Sequence, residues 1–225
     1  GFLIDRGGYI MTNLHVINAL AEQNQEKTGL ANTSIQLPDA IYCLFERGTT
    51  SDGRFIVMRI NKEDIIAYHQ QGDLAILKLS NPVCYESGET RVSGFEKACT
   101  FAEELPRAGA GVAAIGNALG YGVSVSTGVV SIPSFTSYFD IYGYNMIQTD
   151  CPINSGNSGG ALFDAEGKVV GINTLGFGGS GYDNVSWAIP ASFAVEFVNT
   201  VNSGVSSGTV QILNPVAGGG ISLES

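Results

Sequence analysis

Gly156-Asn157-Ser158-Gly159-Gly160 is the stretch around which this 225-residue chain is built. It is entered through Thr149-Asp150-Cys151-Pro152-Ile153-Asn154-Ser155 and left through Ala161-Leu162. Glycines reach backbone angles closed to other residues, so successive N–H groups there can converge on one point. Such a pocket suits the oxyanion of an acyl transfer, with the Ser158 hydroxyl beside it as nucleophile. The plainer alternative is a glycine-rich turn between two strands.

The pentapeptide also fits G-x-S-x-G, the strained strand-to-helix turn that carries a nucleophilic serine ahead of its histidine. The chain has two histidines, His15 and His69, and both precede Ser158. A histidine partner must therefore come first and the serine last, the order of the chymotrypsin-like double barrel. His15 follows the apolar run Tyr9-Ile10-Met11-Thr12 and is expected to project from a rigid element. His69 lies in Ala67-Tyr68-His69-Gln70-Gln71, read as a polar loop, so His15 is the expected base. An isolated surface histidine is the alternative for both. Asp73, at the mouth of the apolar run Leu74 to Leu79, is either a solvated turn residue or a carboxylate buried for a partner.

Composition narrows the class. Hydrophobic residues make up 44% and charged residues 14%, with 30 glycines, which suits a turn-rich all-β protein and not disorder or a coiled coil. The net charge is −10 without a basic cluster, so no nucleic-acid partner is expected. No apolar run approaches a membrane span. Gly1-Phe2-Leu3-Ile4 reads as a strand already under way, so upstream sequence is expected to have been removed. Four cysteines, Cys43, Cys84, Cys99 and Cys151, are too few for a disulfide scaffold; Cys84 and Cys99 close a short loop or stay free thiols. No metal or other cofactor is called for.

Strands are expected at Phe2 to Ile4, Tyr9 to Thr12, Ile41 to Glu46, Phe55 to Ile60 and Leu74 to Leu79. After a polar stretch with a junction near Glu103 to Ala108, more follow at Val112 to Ile115, Val123 to Ile132, Met146 to Thr149, Ala161 to Phe163, Val169 to Asn173 and Val185 to Ile189. A short helix is expected from Ile17 to Gln25. A C-terminal one runs from Ala191 to Asn202, with Phe193, Ala194, Phe197, Val198 and Val201 at helical spacing. The expected fold is all-β: two six-stranded antiparallel β-barrels, residues 1–104 and 105–202, closed by that helix. Residues 203–225, rich in Gly and Ser, read as a tail or linker.

Three motifs in order, Thr12-Asn13-Leu14-His15-Val16, Gly72-Asp73-Leu74-Ala75-Ile76-Leu77 and Gly156-Asn157-Ser158-Gly159-Gly160, resemble those of the HtrA (DegP/DegS/Deg) serine proteases. Two further blocks match. One is Ile115-Gly116-Asn117-Ala118-Leu119-Gly120 with Ser126-Thr127-Gly128-Val129-Val130-Ser131; the other is Val170-Gly171-Ile172-Asn173-Thr174 with Ala188-Ile189-Pro190. The resemblance covers roughly residues 1–202.

It implies a trypsin-like fold and a triad of His15, Asp73 and Ser158. It also implies an oxyanion hole at Gly156, Asn157 and Ser158, formed by the N–H groups of Gly156 and Ser158. Thr174-Leu175-Gly176 would pair with an extended polypeptide substrate, with Thr174 near the Asp73 carboxylate. Ile153, Asn154, Leu175 and Val185 would sit around the primary pocket. No acid falls at the pocket base; Asp150 is expected to anchor its strand. Cleavage after Val, Ala or Leu is therefore expected, rather than after Lys or Arg. Trp187 is expected in the core.

The family further implies an extracytoplasmic compartment and a switch of the oxyanion loop, involving residues 151–157 and Gly176 to Gly181. A non-catalytic peptide-binding module or chaperone on the same fold is the rival reading. The loop between His15 and Asp73 is longer than the family leads one to expect, and no PDZ domain follows within the 225 residues. Cys151 has no counterpart role, and homo-oligomer formation stays open.

Overall fold

The computed structural model describes residues 1–18, 35–45, 56–79, 95, 97–117, 122–136, 144–176, 184–216 and 219–224. The first half begins with a hairpin of β1 (Phe2–Leu3) and β2 (Tyr9–Thr12), followed by the single helical turn α1 (Leu14–Ile17). A second hairpin joins β3 (Ala40–Phe45) to β4 (Ile56–Asn61), and a third joins β5 (Ile65–His69) to β6 (Leu74–Lys78). The second half carries β7 (Gly111–Gly116), β8 (Ser124–Phe135), β9 (Met146–Thr149), β10 (Ala161–Phe163), β11 (Val169–Gly176) and β12 (Ser186–Pro190). Helix α2 (Ala191–Ser203) and strand β13 (Val210–Ile212) follow.

The second half closes as expected into a six-stranded antiparallel barrel, in the order β10-β11-β12-β9-β8-β7. Its interior is filled by Val112, Ala114, Val130, Ile147, Leu162, Val170 and Ala188. The first half departs from the expected barrel. Among the described residues it is an open five-stranded sheet, β1-β2-β6-β5-β13, with β3 and β4 as a separate pair. Its outer strand comes from the far end of the chain. Val210 pairs with His69 and Ile212 with Ala67, and the Leu213 N–H donates to the Ile66 carbonyl at 2.8 Å. The described residues of 203–225 are thus no free tail. Ile221 is buried, and Arg6 meets Glu224 in an ion pair. Burying Val210 and Ile221 supplies the apolar gain that a Gly/Ser-rich composition conceals.

The largest apolar cluster lies between the halves. Ile4, Met11, Ile66, Leu74 and Ile76 come from the first sheet, and Ile172 and Ile189 from the barrel. Helix α2 adds Ala194, Phe197, Val198 and Val201, a stripe at i, i+3, i+4 and i+7. The helix ends where Gly204 takes the left-handed conformation (φ 71°) and returns its N–H to the Val201 carbonyl. Trp187 is only partly buried, with its ring 6.3 Å from that of Phe135. Residues 19–25 of the expected first helix lie outside the described residues, as do Cys84 and residues 177–181; Cys99 and Cys151 are free thiols. No helix among the described residues is long and apolar enough to cross a membrane.

Candidate active site

Asp73 is the anchor of the site. The residue is 2% exposed, and its carboxylate would be costly to bury without partners. Three donors answer it: the His15 N–H reaches Oδ1 at 2.9 Å, His15 Nδ1 lies 2.7 Å from Oδ2, and Thr174 Oγ1 donates to Oδ2 at 2.9 Å. The Asp73 carbonyl accepts from the Leu14 N–H at 3.1 Å and from Asn13 Nδ2 at 2.9 Å. A helix leaves its first N–H groups without internal partners. Asp73 satisfies two of those of α1 from the turn that precedes β6, and so fixes the turn that carries His15. His15 therefore stands on a helical turn and not at the end of an extended strand.

Each element is aimed by its local backbone. Asp73 has φ 49°, a left-handed value rare outside glycine and tolerated best by Asp and Asn. Thr174 lies where the β11–β12 register slips between Asn173 and Leu175. A bulge of this kind redirects one side chain, and here it coincides with the Thr174 hydroxyl pointing at Asp73.

A carboxylate oxygen only accepts, so His15 Nδ1 carries the hydrogen and the neutral ring keeps its lone pair on Nε2. Burial alone would lower the His15 pKa; the hydrogen bond and the charge of Asp73 outweigh it and hold the imidazole above its ordinary 6.5.

The glycine stretch reaches the same place from the other half. Gly159 has φ 77°, and its N–H donates to the Asn173 carbonyl at 2.8 Å. A Cβ there would collide with Thr12 Oγ1 and stand 2.9 Å from the Asn13 backbone nitrogen, two residues before His15. Gly159→Ala is accordingly expected to destabilise the fold by about 3 kcal/mol, adding left-handed strain to overpacking. A thermal melt should show a fall in Tm of roughly 6–12 °C.

Ser158 is partly buried, and its hydroxyl donates to the Thr174 carbonyl at 3.3 Å. Among the described residues it does not bond to His15, but Thr174 touches both Asp73 and Ser158, so all four residues share one corner. Gly156 is exposed with φ 98°, and its carbonyl accepts from the Asn117 N–H at 3.2 Å. Among the described residues the N–H groups of Gly156 and Ser158 have no internal acceptor, whereas the Asn157 N–H is tied to the Asn154 carbonyl at 2.9 Å. The Asn157 side chain is buried against Gly116.

Ile153 is buried, its N–H donating to Ser186 Oγ at 3.3 Å; Asn154 is exposed and Val185 partly buried. Leu175 and Gly176 pair through the backbone with Trp187 and Ser186. Asp150 Oδ1 accepts from the Val129 N–H at 2.6 Å, which ties one strand to the next. Cys151 is buried, donates to the Ser126 carbonyl at 3.3 Å, and is held in the thiol form by burial. The sequence reading missed His69 as a structural element: it ends a strand, and its ring packs on α2. Its one sequence signal was the apolar run Ile65-Ile66-Ala67-Tyr68 that leads into it.

Residues 1–172 match the family described as the trypsin-like peptidase domain. Among individual proteins, the chain is 33% identical over 206 residues to a probable periplasmic serine endoprotease DegP-like of Halomonas elongata, covering 90% of this chain and 35% of that protein. It is 35% identical over 207 residues to Protease Do-like 5, chloroplastic, of Arabidopsis thaliana, covering 88% and 55%. The HtrA-type protease AlgW, solved with a tripeptide, superposes with a TM-score of 0.63 at 28% identity, covering 91% of this chain and 56% of that one. The chain spans about a third of the DegP-like relative's length and about half of the other two. With the match running through all three motifs, the chain belongs to the trypsin-like peptidase family, and its similarity lies with the DegP- and HtrA-type members.

Proposed function

We propose that this chain is a serine endopeptidase that cleaves extended or unfolded polypeptide through an acyl-enzyme. The observation that carries the reading is the 2.7 Å contact of His15 Nδ1 with a buried Asp73, in a corner that also receives Ser158 through Thr174. Ser158 Oγ attacks the scissile carbonyl carbon, and Nε2 of His15 takes its proton and later returns it to the leaving amine. Asp73 fixes the tautomer and balances the imidazolium. The mechanism requires the Ser158 hydroxyl to turn from the Thr174 carbonyl to the imidazole, a tightening usual when substrate binds.

The N–H groups of Gly156 and Ser158 face the oxyanion. Each such donor is worth on the order of 10²–10³ in rate. In the segment Thr174 to Gly176, Leu175 and Gly176 pair with β12 along one edge. Among the described residues its other edge is free of a strand, which favours an extended peptide adding there. The family resemblance that assigns Ile153, Leu175 and Val185 to the primary pocket favours a Val, Ala or Leu side chain before the cut, with Asn154 as a further substrate contact. The DegP-like relative is named as periplasmic, which favours an extracytoplasmic site for this chain; fractionation of cells expressing the native gene would test it.

The decisive experiment is a cleavage-site profile on a denatured protein, run beside fluorophosphonate labelling. Cuts after small or medium apolar residues, with the label on Ser158, are the expected result. Label on another residue, or cuts after Lys and Arg, would overturn the assignment or its pocket respectively. No label and no cleavage under any condition would favour the peptide-binding rival.

A further inference from the structure

His69 stands outside the proposed triad, yet it holds the turn that delivers Asp73. Its half-buried ring lies against two phenylalanines of α2, with centroids 5.0 Å from Phe193 and 5.8 Å from Phe197. The Gly72 N–H donates to His69 Nδ1 at 2.8 Å. The neutral ring therefore carries its hydrogen on Nε2. This bond closes residues 69–72 into a turn, and the next residue is Asp73 at φ 49°.

A left-handed non-glycine persists only where its surroundings over-determine it. Here they do. A Cβ on Gly72 would collide with the Phe193 ring and lie 2.9 Å from His69 Nδ1. Tyr144, stacked on Phe193 at 4.2 Å, donates its hydroxyl to the Gly72 carbonyl at 3.1 Å. On the outer side, Val210 of β13 pairs with His69, and the Gln70 N–H donates to the Thr209 carbonyl at 2.9 Å.

We propose that His69 is a positioning residue: its neutral Nδ1 holds the Gly72 N–H, sets the backbone at Asp73, and so keeps the carboxylate under His15. The inference rests on the triad reading above. It has a consequence in acid. A protonated ring only donates, so Gly72 would lose its acceptor and two N–H groups would face each other. Helix α2 presents Glu196 as the charged group near the ring, β13 is paired to it through backbone, and the Tyr144 phenol and the Asp73 carboxylate border the turn. Burial lowers the His69 pKa and outweighs the opposing charge of Glu196, so the ring is neutral wherever His15 works. Below that range a second proton joins the one on His15, and log kcat/KM should fall more steeply than slope one until the contribution of His69 is lost.

The test compares His69→Leu, which keeps the apolar packing but removes the acceptor, with His69→Asn, whose amide oxygen replaces Nδ1. His69→Leu should lose on the order of 10- to 100-fold in kcat with KM unchanged, the scale of a small displacement of a catalytic group. His69→Asn should recover most of that loss and keep slope one in acid. A low-field proton resonance from the His15–Asp73 hydrogen bond should persist in the parent and His69→Asn and shift in His69→Leu. A parental kcat in His69→Leu, or equal losses in both variants that track Tm, would overturn the proposal while the parent still cleaves and labels. A parent that neither cleaves nor labels would overturn the triad reading, and this inference with it.

Discussion

Ser158→Ala is expected to lower kcat by on the order of 10⁶-fold while leaving the fold intact. The size follows from what the hydroxyl does: without it no acyl-enzyme forms, and neither the base nor the oxyanion donors act on a covalent intermediate. Residual turnover of on the order of 10³–10⁴ over water should survive from binding and the oxyanion hole. The fold is spared because the hydroxyl makes one long hydrogen bond, 3.3 Å to the Thr174 carbonyl. Its loss changes stability by about 1 kcal/mol or less. Paired kinetics and thermal melts read both quantities. A variant retaining even a few per cent of parental turnover with an unchanged melt would place the nucleophile elsewhere. Cys151 would not be a credible substitute, since its buried thiol faces the Ser126 carbonyl and burial raises its pKa.

Parts of this arrangement are legible in the sequence for definite physical reasons. The strands of the closed barrel other than the long, Ser/Thr-rich β8 announce themselves as short runs rich in apolar residues, because they bury side chains in the core. Helix α2 is legible because Ala194, Phe197, Val198 and Val201 fall at helical spacing against the core. What is not legible depends on partners distant along the chain. Strand β5 reads as a loop because its end, Tyr68-His69-Gln70, is polar. Its order comes from Val210, about 140 residues away, and from two α2 phenylalanines. Strand β13 is hidden for the same reason, since its three residues form a strand only because an edge of β5 awaits them. The chain order of histidine before serine narrows the fold, yet no local pattern reports that the Ser158 hydroxyl turns to Thr174. The φ of 49° at Asp73 is likewise invisible, since only the tertiary contacts around Gly72 sustain it.

Asp73→Asn should reduce kcat by on the order of 10⁴-fold at neutral pH, and the reason lies in hydrogen-bond bookkeeping. The carboxylate accepts from the His15 N–H on one oxygen and from His15 Nδ1 and Thr174 Oγ1 on the other. An amide supplies one oxygen. Turned so that its nitrogen meets the His15 N–H, it would bury two donors face to face. Turned the other way, its NH₂ points at Nδ1, and the ring must carry its hydrogen on Nε2. The second orientation wins because Thr174 Oγ1 can accept as well as donate. In that tautomer the ring has no lone pair for the Ser158 proton.

The pH profile separates this account from simple misfolding. A base must be neutral to act, so parental kcat/KM should fall in acid through the His15 pKa, which lies above 6.5. Removing the Asp73 bond and charge leaves burial as the dominant influence, and the pKa should drop below 6.5. The variant's acidic limb should therefore move to lower pH even as its plateau collapses. A limb that stays in place with a parental plateau would mean that Asp73 does not govern His15, and the proposed roles of both residues would have to be withdrawn.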